Sequence, residues 1–133
     1  MRKYLLTDFN TNRWKGIKLD SVEKCIYALN NKYNTIYGEL GDVNKYDVSL
    51  SNASHVIENI TYKNGEVYGY VRLLTTKHGK IAKTLGDNLT FNIRCIGISN
   101  PKTIILEQIL TWDILEIDSM VEHRNDVINE ILK

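Results

Sequence analysis

An Asn-Gly pair in the middle of the chain places the strongest constraint on the fold. Asn64 and Gly65 separate residues 54–62 from residues 67–74, and both stretches are rich in β-branched and aromatic side chains. Asn and Gly readily adopt the positive φ angles of a two-residue type I′ turn, whose twist matches that of the strands it joins. The sequence therefore predicts an antiparallel β-hairpin that turns at residues 63–66.

The segment before this hairpin has the apolar spacing of an amphipathic helix. Asp20 is a good N-cap, and Glu23 follows it three residues later as in a capping box. The Asn-Asn pair at residues 30–31 predicts that the helix ends near Tyr33. The predicted buried face consists of Val22, Cys25, Ile26 and Leu29.

Two further helices are predicted after the hairpin. A short one covers residues 79–85 and places Ile81, Ala82 and Leu85 on one side. A terminal one starts near Asp118 or Ser119. Its apolar stripe consists of Met120, Val127, Ile128, Ile131 and Leu132.

Most of the remaining regular segments have the composition of β-strands. They are residues 4–6, 35–42, 89–98 and 103–117. Because strands outnumber helices and few βαβ units occur, we predict an α+β fold with a mainly antiparallel sheet or small barrel and peripheral helices. A single proline and eight glycines leave little room for a linker, which predicts one domain over residues 1–133.

Composition excludes several classes of protein. The 17 Lys and Arg residues nearly balance 16 Asp and Glu residues, so there is no basic excess to drive binding to nucleic acid. No apolar run approaches the roughly 18 residues that cross a bilayer, and Asp8 interrupts what would be a signal peptide. Two cysteines form no disulfide framework, so we expect reduced thiols.

A few side chains are candidates for chemistry. The three histidines lie at no metal-ligand spacing, so we expect neither a metal nor a cofactor, and a small-molecule ligand is not expected either. His55 is either a half-buried structural residue or a general base. Cys95 is either a buried structural thiol or a nucleophile. Asp113, in an apolar strand, is either a structural acid with a partner or a residue that orients a catalytic group.

The chain also contains seven short motifs between residues 37 and 114. They are Tyr-Gly-Glu-Leu-Gly (37–41), Asp-Val-Ser-Leu-Ser (47–51), Ala-Ser-His-Val-Ile-Glu (53–58), Gly-Glu-Val-Tyr-Gly (65–69), Val-Arg-Leu-Leu-Thr-Thr (71–76), Gly-Lys-Ile-Ala-Lys-Thr-Leu (79–85) and Leu-Thr-Trp-Asp-Ile (110–114). Their order and spacing resemble those of the prohead proteases of T4-type phages, which act in capsid maturation. The resemblance implies a small β-barrel-like sheet with peripheral helices, similar to the herpesvirus assembly proteases.

The resemblance also implies where catalytic residues would lie. The family's histidine falls on Asp42, its nucleophilic serine falls on Arg94 with Cys95 beside it, and its acid falls on Asp113. His55 matches a non-catalytic histidine of the family. Aspartate is a poor base near neutral pH and arginine is no nucleophile. We therefore expect a degenerate site in which Asp42 and Arg94 form a charge-assisted hydrogen bond.

These implications lead to a function and an alternative. We expect a non-enzymatic virion protein that is made in the host bacterial cytoplasm. It would act as an auxiliary or decoration protein bound to the major capsid protein and other virion proteins. The alternative is an active maturation protease that cleaves capsid or scaffold proteins with Cys95 as nucleophile and His55 as base.

Overall fold

Two antiparallel sheets form the body of the computed structural model, which describes residues 1–115. The strands are β1 Arg2–Asp8, β2 Thr35–Glu39, β3 Ala53–Lys63, β4 Glu66–Leu73, β5 Thr90–Ser99 and β6 Ile104–Leu115. The helices are α1 Leu19–Lys32 and α2 Lys77–Lys83, with short 3-10 turns at Asn12–Trp14 and Leu50–Asn52. One sheet has the order β1-β4-β3-β2, and the other is the pair β5-β6. The predicted α+β class with antiparallel sheets is confirmed.

The central hairpin is β3 and β4, as the Asn-Gly pair predicts. Asn64 and Gly65 have φ angles of 51° and 83°, so both lie in the left-handed region that a type I′ turn requires. Strands β3 and β4 pair from Lys63 and Glu66 outward to His55 and Leu73, with one irregularity between residues 58 and 61. The Asn-Gly turn and the β-type stretches on either side of it together predict this hairpin correctly.

Helix α1 has the predicted buried face, because Val22, Cys25, Ile26 and Leu29 are all buried. The predicted N-cap is wrong. Lys18 occupies that position, and its carbonyl accepts hydrogen bonds from the backbone N–H and the hydroxyl of Ser21. Asp20 instead lies in the first turn, where its charge favours the positive end of the helix dipole. The helix ends at Lys32 with Tyr33 as C-cap, as predicted.

Helix α2 begins two residues earlier than predicted. The hydroxyl of Thr76 accepts a hydrogen bond from the Gly79 N–H and fixes this start. Ala82 is buried while Ile81 is 40% exposed, and the helix ends at Lys83, before Leu85.

The pair β5-β6 joins the larger sheet along one edge. A parallel bridge connects Leu40, directly after β2, to Ile114, and a second one connects Ile17, in the loop before α1, to Ile104. The core lies between the sheets and α1, and Trp112 is its largest fully buried side chain. The terminal helix predicted from Asp118 or Ser119 lies outside the described residues. Across residues 1–115, neither helix has the length and apolar character needed to cross a membrane.

Candidate functional site

A buried ion cluster lies where β2, β5 and β6 meet. It consists of Arg94 on β5, Asp113 on β6 and Glu39 at the end of β2, and their exposed fractions are 6%, 0% and 5%. Arg94 faces Thr111 across the β5-β6 pair, so Asp113, two residues further along β6, lies diagonally opposite on the same face. The parallel bridge between Leu40 and Ile114 brings Glu39 alongside.

Arg94 binds both carboxylates in a fixed geometry. Its Nε donates to Asp113 Oδ2 at 2.9 Å, and its Nη2 donates to Asp113 Oδ1 at 2.6 Å, which is a bidentate pair. The same Nη2 donates to Glu39 Oε2 at 2.9 Å. The backbone N–H of Glu39 also donates to Asp113 Oδ1, at 2.9 Å. The two acids are therefore linked both through the cation and through the backbone.

The remaining donors of Arg94 hold the connection between β2 and β3. Its Nη1 donates to the carbonyls of Lys45 and Asp47, at 3.3 and 3.0 Å. The Ser49 N–H donates to Glu39 Oε2 at 3.3 Å. Arg94 itself makes five of these bonds, which equals the number of N–H groups on a guanidinium. The side chain is saturated, and it fixes residues 45–49 over the cluster.

Burial and pairing act in opposite directions on the pKa values of this cluster. Burial disfavours the charged guanidinium, but the hydrogen bonds that Arg94 donates to Asp113 and Glu39 outweigh it and raise the pKa of Arg94. Burial raises the pKa of Asp113, while Arg94 and the Glu39 N–H oppose that shift. Arg94 therefore stays protonated, and it cannot accept a proton or attack a substrate.

The expected Asp42–Arg94 pair is wrong. Arg94 forms its ion pairs with Glu39 and Asp113, and the Asp42 side chain makes no ion pair with it within residues 1–115. A register irregularity between Gly38 and Glu39 turns the Glu39 side chain inward. Gly41 follows with a φ of 101° and donates its N–H to Ile114, after which the chain leaves the sheet.

Glu39 is the partner of Arg94 that the sequence did not predict. It lies inside the Tyr-Gly-Glu-Leu-Gly motif that carries part of the resemblance, and the sequence indicated only a polar core residue that serves stability. One sequence feature could have indicated its role. Glu39 ends a β-type stretch between apolar residues, and a carboxylate buried in such a position requires a hydrogen-bonding or charged partner.

His55 is a structural histidine in this fold. It is completely buried, with Nδ1 2.7 Å from Ser54 Oγ and Nε2 2.8 Å from the Trp112 carbonyl. Because the carbonyl can only accept, Nε2 carries the proton and the Ser54 hydroxyl donates to Nδ1. Burial lowers the pKa of His55 to about 4, although the bond to Trp112 opposes the shift. The ring is neutral at pH 7 and both its nitrogens are occupied.

Cys95 is half-buried on β5, and burial raises the pKa of its thiol. Within residues 1–115 no hydrogen bond joins Cys95 to His55, whose two ring nitrogens bond to Ser54 and the Trp112 carbonyl. Over that same range, no group of three or more His, Cys, Asp or Glu side chains is arranged to hold a metal ion.

Comparison with known proteins gives a structural match alone. No protein-family model matches the chain, and no curated protein matches it. Among solved structures, the chain is similar to the bacteriophage T4 capsid assembly protease, gp21, with a TM-score of 0.71 and 16% sequence identity. The similarity covers 86% of this chain and 80% of that one.

The fold of this chain is similar to the fold of that capsid assembly protease. This agrees with the fold that the seven motifs led us to expect, and it places the ion cluster of Arg94, Glu39 and Asp113 inside an architecture used by a capsid assembly protease.

Proposed function

We propose that this chain is a non-proteolytic phage capsid protein built on a protease-like fold. It is made in the host bacterial cytoplasm and joins the virion. There it binds the major capsid protein as an auxiliary or decoration protein. The main support for the proposal is the environment of Arg94. The resemblance places the nucleophilic serine at this position, where Arg94 is buried and all five of its N–H groups donate hydrogen bonds.

The chemistry around Arg94 supports a role without proteolysis. A nucleophile requires an accessible atom and a nearby base. Asp113, the acid of the resemblance, binds Arg94 through both of its oxygens. His55 is fully buried, and the raised pKa of Cys95 reduces its thiolate fraction. These residues stabilise the fold, and none is poised for proton transfer to a bound peptide.

Exposed apolar side chains support a role in binding protein. Tyr27 and Ile98 are 71% and 58% exposed. Tyrosine is enriched at protein–protein interfaces because it offers a large apolar surface together with a hydroxyl group. A capsid surface provides such a partner in many copies.

Incubation with the unprocessed major capsid protein of the same phage tests the absence of proteolysis. We expect intact capsid protein by mass spectrometry after prolonged incubation. Cys95→Ala and His55→Gln are the matched variants. Cleavage that disappears in Cys95→Ala, while circular dichroism shows that the variant remains folded, would establish Cys95 as a nucleophile and overturn the proposal.

The binding half of the proposal needs a separate measurement. Quantitative mass spectrometry of purified virions should find this chain in a fixed ratio to the major capsid protein. Absence of the chain from virions would remove the decoration role, even if no cleavage is seen.

A further inference from the structure

A groove with a volume of about 620 Å³ lies between α1, β2, β6 and the segment 46–50. Its apolar lining includes Ala28, Leu29, Ile36, Val48, Ile109 and Leu110. A second depression shares Cys25, Ala28 and Glu107 with it and continues along α1 to Lys18. We call the two together the α1–β6 groove, and it follows α1 over most of the helix.

The wall of this groove at residues 46–50 is held by the buried cluster. The carbonyls of Lys45 and Asp47 accept hydrogen bonds from Arg94, and the Ser49 N–H bonds to Glu39. Tyr46 reaches across to β6, where its hydroxyl donates to Gln108 Oε1 at 3.2 Å. The groove is therefore a preformed surface.

Among the described residues 1–115, no strand pairs with the outer edge of β6 where that edge borders the groove. At one end the Ile104 N–H donates to Gly16, and at the other the Gly41 N–H donates to Ile114. Within residues 1–115, residues 107–110 pair only with β5. An apolar groove beside an open strand edge is a surface that folded proteins cover.

We propose that residues 116–133 of this same chain cover the α1–β6 groove. Strand β6 ends at Leu115, and Leu110 lies five residues back, or about 17 Å along the strand. An 18-residue segment can span up to about 60 Å, so it can turn and return along β6. Its sequence has apolar residues at helical spacing, with Ile128 and Ile131 among them.

Charge favours the same occupant. Residues 116–133 contain five acidic and two basic side chains, so they carry −3, while residues 1–115 carry +4. Lys18, Lys24 and Lys32 lie along the α1 side of the groove, and the acids in its lining are Asp20, Asp47 and Glu107. The segment therefore brings an apolar stripe to the lining and a net negative charge to a net positive body.

Disulfide trapping in the full chain tests this contact. Ala28→Cys introduces a thiol that lines both parts of the groove, and Ile128→Cys introduces one on the stripe. Both are combined with Cys25→Ser and Cys95→Ser. We expect an intramolecular disulfide, seen as a faster-migrating monomer on a non-reducing gel. Tyr27→Cys replaces Ala28→Cys in the control, because Tyr27 is 71% exposed and does not line the groove.

Each outcome decides the proposal. A disulfide from position 28 that forms well ahead of the one from position 27 supports it. Equal trapping from both positions overturns it, and so does a disulfide-linked dimer, which would assign the groove to a second copy.

The rate of alkylation at position 28 is a second measurement. The double substitution Ile128→Asp and Ile131→Asp should speed alkylation of the thiol introduced by Ala28→Cys about tenfold. This is the change expected when a contact populated about 90% of the time is lost. Unchanged alkylation overturns the proposal.

Discussion

Replacing Arg94 by methionine removes the cation from the buried cluster and leaves two carboxylates behind. Asp113 loses its bonds of 2.9 and 2.6 Å and keeps only the Glu39 N–H, while Glu39 loses its 2.9 Å bond to Nη2. Each charge-assisted bond contributes about 1.5–3 kcal/mol, but such values are not additive. Breaking a buried pair by removing one partner costs about 3–5 kcal/mol. We therefore expect Arg94→Met to lower the free energy of unfolding by about 4 kcal/mol at pH 7.

Urea denaturation followed by far-ultraviolet circular dichroism measures this loss. The deficit should shrink at pH 5, because burial already raises the pKa of Asp113 and, without Arg94 to oppose that shift, protonation of Asp113 stabilises the folded variant as the pH falls. Arg72→Met is the matched control, since Arg72 is exposed on β4, and it should change stability by less than about 0.5 kcal/mol.

A triple variant separates charge from packing. Arg94→Met combined with Glu39→Leu and Asp113→Leu leaves no unpaired charge, so most of the lost stability should return. The reasoning is refuted if Arg94→Met loses no more than Arg72→Met, or if the triple variant is less stable than Arg94→Met alone.

Three further predictions concern neighbouring positions. Because the pKa of His55 falls from 6.5 in the unfolded chain to about 4 in the fold, stability is lost as pH falls through that window. The loss is about 2 kcal/mol between pH 7 and 5, and chemical denaturation of His55→Gln should show a smaller one. A Cβ at Gly38 would collide with His55 and the Trp112 carbonyl, so Gly38→Ala should lower the free energy of unfolding, measured in urea, by about 3 kcal/mol. Gly41→Ala, which meets no atom but has a φ of 101°, should cost about 1 kcal/mol, and equal losses would contradict the collision. Cys95 should react with iodoacetamide more slowly than an exposed Tyr27→Cys thiol in a Cys25→Ser background, and faster reaction would contradict its raised pKa.

The parts of the fold that the sequence predicts are those that depend on local chemistry. Prediction of the turn at Asn64 and Gly65 requires only the φ preferences of two residues. Prediction of the buried face of α1 requires only the helical spacing of apolar residues. The N-cap at Lys18 was not predicted because lysine is not a typical N-cap residue and its side chain caps nothing. Asp20 has the side chain of a typical N-cap but lies inside the first turn.

The candidate site could be predicted only in part, because it depends on strand register. Arg94 and Asp113 were both singled out, but their contact requires the diagonal pairing of β5 and β6. Glu39 joins them because the strand register shifts after Gly38, which a sequence pattern does not reveal. Asp42, three residues later, was the wrong acid for the same reason.

The saturation of Arg94 also limits how this protein can change over evolution. Replacement of Arg94 by an uncharged residue, serine included, leaves Glu39 and Asp113 buried without their cation. Such a step lowers stability before any new chemistry can be selected. A lineage that acquires a nucleophile at this position would first have to neutralise one of the two acids, so the order of mutations is constrained.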